Sequence, residues 1–113
     1  MRSLGQKVEL LRVIAHPARI RILEELKKGV KCVSDFEGLL EINQPNLSQH
    51  LALLRNNGVI DYYIDGRLRC YFLVDPIIPD LLELLKKDYL KSLPAPACCP
   101  VTRKGKYPGE RRH

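Results

Sequence analysis

The sequence predicts a mainly α domain carrying one β-hairpin. Three observations support this: apolar stripes at helical spacing up to residue 58, two alternating runs around an Asp-Gly pair, and a further helical stripe after Pro76. At 113 residues the chain has room for one core. Its longest apolar runs fall well short of the roughly 18 residues that a spanning helix needs. The first residues also lack the apolar block and small-residue cleavage site of a secretory signal. No membrane association and a cytoplasmic location are therefore expected.

From about Ser3 to Ala15, the residues Leu4, Val8, Leu11 and Ile14 share one face and predict the first helix. In AHPARIRILEELKKGV, His16 can cap a second helix and Pro17 suits its first turn. Ala18, Ile22, Leu23 and Leu26 are expected inside, Lys27 and Lys28 oppose the negative helix end, and Gly29 supplies the stop. Ser34-Asp35-Phe36-Glu37 fits a capping box, so a third helix is expected from about Asp35, with Cys32 in the approach to its positive end. The fourth helix is the clearest element. Asn43 can cap it, Pro45 fits its first turn, Leu47, Leu51 and Leu54 form the buried stripe, and Asn56, Asn57 and Gly58 end it.

The period then changes. VIDYYI and RLRCYFLV alternate in the manner of strands, joined by Asp65-Gly66 as a tight hairpin turn. In the second run Leu68, Cys70, Phe72 and Val74 are expected to face the core, with Arg67, Arg69 and Tyr71 on the other face. Cys70 is accordingly expected to be a small core thiol. After Pro76, IIPDLLELLKKDYLKSL predicts a fifth helix with Ile77, Leu81, Leu84 and Leu85 apolar, closed by Pro94 and Pro96. Residues 1–93 thus form one domain, and residues 94–113 an irregular basic tail carrying Cys98 and Cys99.

The net charge of +6 is unevenly spread, because the tail holds Arg103, Lys104, Lys106, Arg111 and Arg112 against Glu110 alone. That leaves only +2 on residues 1–93, so DNA binding has to be argued from local pattern and not from global charge. The short turn between the third and fourth helices has helix-turn-helix proportions. In that motif the second helix enters the major groove with its N-terminal side chains at the base edges. The fourth helix opens with Gln44, Asn46, Ser48, Gln49 and His50, whose amide, hydroxyl and imidazole groups can pair with bases or phosphate. Such residues also solvate ordinary surface helices, and their concentration in two turns favours the DNA reading. Arg67 and Arg69 follow the hairpin turn, where a projecting wing can reach phosphate or the minor groove.

The segments AHPARIRIL, CVSDF, NQPNLSQHLALLRNNGVI and DGRLRCYFL, covering roughly residues 8–75, resemble the successive signatures of the ArsR/SmtB family of bacterial winged helix-turn-helix repressors. The resemblance implies a homodimer joined through the first and fifth helices. It also implies a pseudo-palindromic operator, with the fourth helix reading and the hairpin as wing, and release when an inducer binds. One sensing site of the family resembles CVCD at the start of the third helix. Here those residues are Cys32, Val33, Ser34 and Asp35, so Ser34 replaces the second thiol. Another family site uses His and carboxylates on the fifth helix to hold zinc, and residues 76–93 contain no His.

What remains is Cys32 with Cys98 and Cys99. Thiolates are soft ligands, and three of them suit As(III) or Sb(III), inorganic or methylated. From Leu93 to Cys98 the tail reaches at most about 17 Å, enough to turn back onto a core site. Cys98 and Cys99 are poor disulfide partners for each other, since consecutive Cα atoms lie about 3.8 Å apart and disulfides span roughly 4.4 to 6.8 Å. Two other readings stay open: a redox or persulfide-sensing repressor in which Cys32 bonds to Cys98 or Cys99, and a soft-metal carrier that binds no DNA. No enzyme is expected, because His16 and His50 lack an evident nucleophile or carboxylate partner and no phosphate loop or zinc-protease motif is present.

Overall fold

The computed structural model describes residues 1–87. The expected end of the fifth helix, Pro94, Pro96 and the tail with Cys98 and Cys99 lie outside the described residues. Five helices, α1 (Leu4–Ile14), α2 (Pro17–Lys28), α3 (Val33–Leu40), α4 (Gln44–Asn56) and α5 (Ile77–Lys86), pack with three strands, β1 (Lys31–Cys32), β2 (Ile60–Asp65) and β3 (Leu68–Leu73). The strands form one antiparallel sheet in the order β1-β3-β2. This is the winged helix arrangement that the sequence predicts, with β1 as an added third strand. Among the described residues no helix is long and apolar enough to cross a membrane.

Local chemistry starts α1 to α4. The Ser3 hydroxyl accepts from the Gln6 N–H while the Gln6 side chain accepts from the Ser3 N–H. His16 caps α2 as expected, its Nδ1 accepting from the Ala18 N–H at 3.1 Å. The Asn43 side chain accepts from the Asn46 N–H at 3.0 Å, which fixes the start of α4. At α3 the expectation is corrected. The helix begins at Val33 with Cys32 as its N-cap, and it is Asp35, not Glu37, that reaches back to the N-cap N–H at 2.9 Å. Pairing of Cys32 into the sheet extends the backbone up to that residue, so the helix turns immediately after it.

The core joins Leu10, Val13 and Ile14 of α1, Ile22, Leu23 and Leu26 of α2, Phe36 of α3, and Leu47, Leu51 and Leu54 of α4. Val59, Ile60, Tyr71, Ile78 and Leu82 complete it. Burial of each large aliphatic side chain contributes about 1.5–3 kcal/mol. Of the stripe expected in α1 only Ile14 is buried, and Leu4, Val8 and Leu11 are exposed. In α5, likewise, Ile78 and Leu82 enter the core while Ile77, Leu84 and Leu85 are exposed. Both helices therefore carry two apolar faces, one of which is exposed among the described residues.

The faces of β3 are the reverse of the expectation. Tyr71 is buried at 6% exposure, whereas Leu68 and Val74 are half exposed at 51% and 50% and Cys70 is only partly covered. The Tyr71 ring packs against Tyr62, its partner across the ladder, and Arg69 shares that inner face. Cys70 is thus an outer-face residue and not a core thiol. The hairpin turn also shifts by one residue. Asp65 pairs with Leu68, leaving Gly66 and Arg67 as the two-residue loop. Gly66 has φ of 65° and Arg67 does not share a positive φ, the pattern of a turn with glycine at its first central position. Arg67 therefore sits at the tip of the wing.

A polar contact seats α4 on α2. The His16 and His50 ring centroids lie 4.6 Å apart, and Arg19 bridges them to the backbone, its Nε donating to His50 Nδ1 at 3.2 Å and its terminal nitrogen to the Val13 carbonyl at 3.0 Å. Burial, then the charges of His16 and Arg19, pushes His50 below its ordinary value of 6.5. The unfolded chain then takes up this proton at a higher pH than the folded one. The contribution to stability is complete above about pH 6.5 and is lost as the pH falls through the lower folded value. Urea melts should show the midpoint falling between about pH 7 and pH 5, with a smaller fall in His50→Gln. The Asp35 and Asp61 carboxyls, held below 3.8, act in a separate and more acidic window.

Candidate nucleic-acid interface and its thiol

The first turns of α4 present Gln44, Asn46, Ser48 and Gln49 to solvent. Helical spacing divides them. Gln44 and Ser48, followed by Ala52 and Arg55, look across a cleft of about 520 Å³ towards the hairpin. Asn46 and Gln49 are exposed away from that cleft. His50 is half-buried, turned back onto His16 and Arg19, so of the five polar residues singled out from sequence it is the one committed to an internal contact.

The opposite wall comes from the hairpin, with Tyr62, Arg67, Leu68, Arg69 and Tyr71. Arg69 lies over the Tyr62 ring at 4.8 Å and Arg55 over the same ring at 4.5 Å, which holds two guanidinium groups close together. Arg55 Nε also donates to Asp61 at 2.9 Å. That bond, with the Tyr62 N–H, holds the Asp61 carboxyl below the usual carboxylate range and raises Arg55. Sequence reasoning named Arg67 and Arg69 but missed Arg55 and Tyr62. The signal for Arg55 was its spacing, seven residues and two turns beyond Ser48 on the same face of α4.

The floor of the cleft towards α3 holds Cys32, Val33, Ser34 and Glu37. Cys32 therefore borders the same space as Gln44, Ser48, Arg67 and Arg69. Its thiol donates to the Asp35 carboxylate at 3.2 Å and lies 3.3 Å from the Ser34 hydroxyl. The Cys32 N–H first, and then the thiol, hold Asp35 below its ordinary value. Across the sheet Cys32 is the direct partner of Cys70, and Cys70 in turn of Tyr63. The Cys70 charge, followed by loss of solvent, raises the Tyr63 phenol. Cys98 and Cys99, expected as companions of Cys32, lie outside the described residues. Among the described residues no cluster of three or more His, Cys, Asp or Glu side chains is arranged to hold a metal ion.

Comparison with known proteins agrees with this geometry. Residues 16–62 match the model of the bacterial regulatory protein arsR family. An HTH-type transcriptional regulator of Mycobacterium tuberculosis is 38% identical over 82 residues, covering 72% of each chain. The biofilm growth-associated repressor of Agrobacterium fabrum is 37% identical over 76 residues, covering 67% of this chain and 65% of its own. Among solved structures, HlyU from Vibrio cholerae superposes with a TM-score of 0.70 at 31% identity, over 77% of this chain and 95% of that one. The matched segment runs from the His16 cap through α4 to the start of β2, and the chain belongs to the arsR family of bacterial helix-turn-helix transcriptional regulators.

Proposed function

We propose that the chain is a homodimeric repressor that holds operator DNA through α4 and the wing. It releases the DNA when trivalent arsenic or antimony is captured, the inorganic ion by Cys32, Cys98 and Cys99 and a methylated one by two of those thiols. The observation that carries this reading is the shared cleft: Cys32 borders the space lined by Gln44, Ser48, Arg67 and Arg69. In the reading, Gln44, Asn46, Ser48 and Gln49 meet base edges and phosphates, Arg67 and Arg69 meet the backbone or minor groove, and His50 steadies the helix. An ion drawing the tail thiols onto Cys32 would move α3, and α4 with it, relative to the wing. An inducer that prefers the displaced arrangement shifts the population away from DNA by its differential affinity.

The dimer is proposed through α1 and α5, whose exposed Leu4, Val8, Leu11, Ile77, Leu84 and Leu85 offer apolar surface for a second copy. The proposed place of action is the cytoplasm. A second reading, oxidation or persulfidation of Cys32 with a tail thiol, draws on one observation, that a relative's solved structure is described as reduced HlyU from Vibrio cholerae.

Four experiments check these statements. In gel shifts with the chain's own upstream DNA under full reduction, arsenite should release the wild-type protein but not Cys32→Ser. Arsenic-edge absorption should count three sulfur neighbours falling to two in that variant. Release by oxidant alone would sink the metalloid reading, and absence of any sequence-specific shift would favour a metal carrier over a repressor. Arg67→Ala should weaken operator binding similarly across sequences and lower the slope of log affinity against log salt by about 1. Leu11→Glu places a charge on the proposed dimer face and should sediment as a monomer with its operator affinity lost.

A further inference from the structure

We infer that Cys32 and Cys70 form a two-thiol chelate for a trivalent arsenical bearing one organic substituent. The inference rests on the reading of Cys32 as a sensing thiol, and it does not need the tail.

The two residues face each other directly in the antiparallel β1–β3 ladder. Such partners hold their Cα atoms about 4.5 or 5.5 Å apart with both side chains on one face. That separation lies inside the roughly 4.4–6.8 Å over which one disulfide can join two cysteines. The register thus sets the two cysteines at directly paired positions, and meeting at a common atom asks the Cys32 thiol to turn from its contacts with Ser34 and Asp35. Both residues are partly exposed, and neither is in a disulfide among the described residues.

The neighbours select the ligand. Tyr63 is the other cross-strand partner of Cys70, and Phe72 lies two residues along β3, so both rings share its face, 6.0 Å apart. They offer an apolar flank to a methyl or aryl group on the arsenic, beside the half-exposed Leu68. Two thiols match a centre with two exchangeable positions. In the step, R–As(OH)₂ and two Cys–SH give R–As(S–Cys)₂ and two waters. Two As–O and two S–H bonds break, two As–S bonds form, each thiol proton leaves with a hydroxide as water, and arsenic stays trivalent. The Asp35 carboxylate, already accepting from the Cys32 thiol at 3.2 Å, is placed to pass on one of those protons.

The test uses the full chain carrying Cys98→Ser and Cys99→Ser, reduced, with phenylarsine oxide as probe. Intact mass should show one arsenical bound, and thiol titration should show both remaining thiols consumed. Adding Cys70→Ser should weaken binding by about 10²-fold or more, the effect of losing the intramolecular second bond, and Cys70→Ala should do the same with an unchanged thermal melt. No binding to the tail-thiol variant, two arsenicals bound singly, or undiminished affinity without Cys70 would overturn the chelate. Operator release is read separately on the wild-type chain. Arsenite that leaves its DNA complex intact overturns the regulatory reading, while the phenylarsenical adduct on the tail-thiol variant upholds the chelate.

Discussion

The central strand decides more than any other element, because a strand repeats every two residues and burying one side chain assigns all the rest. In β3 the buried residue is Tyr71, packed on Tyr62 beneath the wing. With Tyr71 inside, Arg69 falls on the inner face, where the Tyr62 ring holds it beside Arg55. Cys70 falls on the outer face, opposite Cys32. A register one residue different would bury the thiol and turn the arginine away from α4.

A second consequence follows from the short strand β1. Two residues of pairing with β3 are enough to anchor the point where the chain changes from extended to helical, and Cys32 is that point. Its N–H and its thiol both engage Asp35, so its geometry is tied to the first turn of α3. The same residue borders the cleft between α4 and the wing. This thiol thus stands at the joint of the sheet, α3 and the cleft between α4 and the hairpin.

Much of the scaffold was legible in residue order. The caps at His16 and Asn43, the stripe Leu47, Leu51 and Leu54, and a hairpin turning at Gly66 are local signals, resolved to within a residue by their neighbours. The failures have a common cause. Both faces of β3 carry apolar residues, so alternation alone did not say which faced in, and Leu68, Phe72 and Val74 looked the more hydrophobic set. The choice was made by Tyr62 and by the helices beneath the sheet, which no local window contains. The stripe Leu4, Val8 and Leu11 misled in the same way: it is a real apolar face, but it lies outside this chain's own core. The start of α3 was displaced because β1, a strand of two residues, is visible only through its partner.

By itself, then, the sequence determined the order of the five helices and the hairpin, the helix-turn-helix pair and the family, since these rest on short-range periodicity, capping and turn chemistry. Only the tertiary structure decided which face of β3 is buried, that His50 is spent on holding α4 to α2, that Arg67 stands at the wing tip, and that Cys70 meets Cys32. Each of these is a pairing between residues distant in the chain, and strand register and helix docking are set by what fills the space between them.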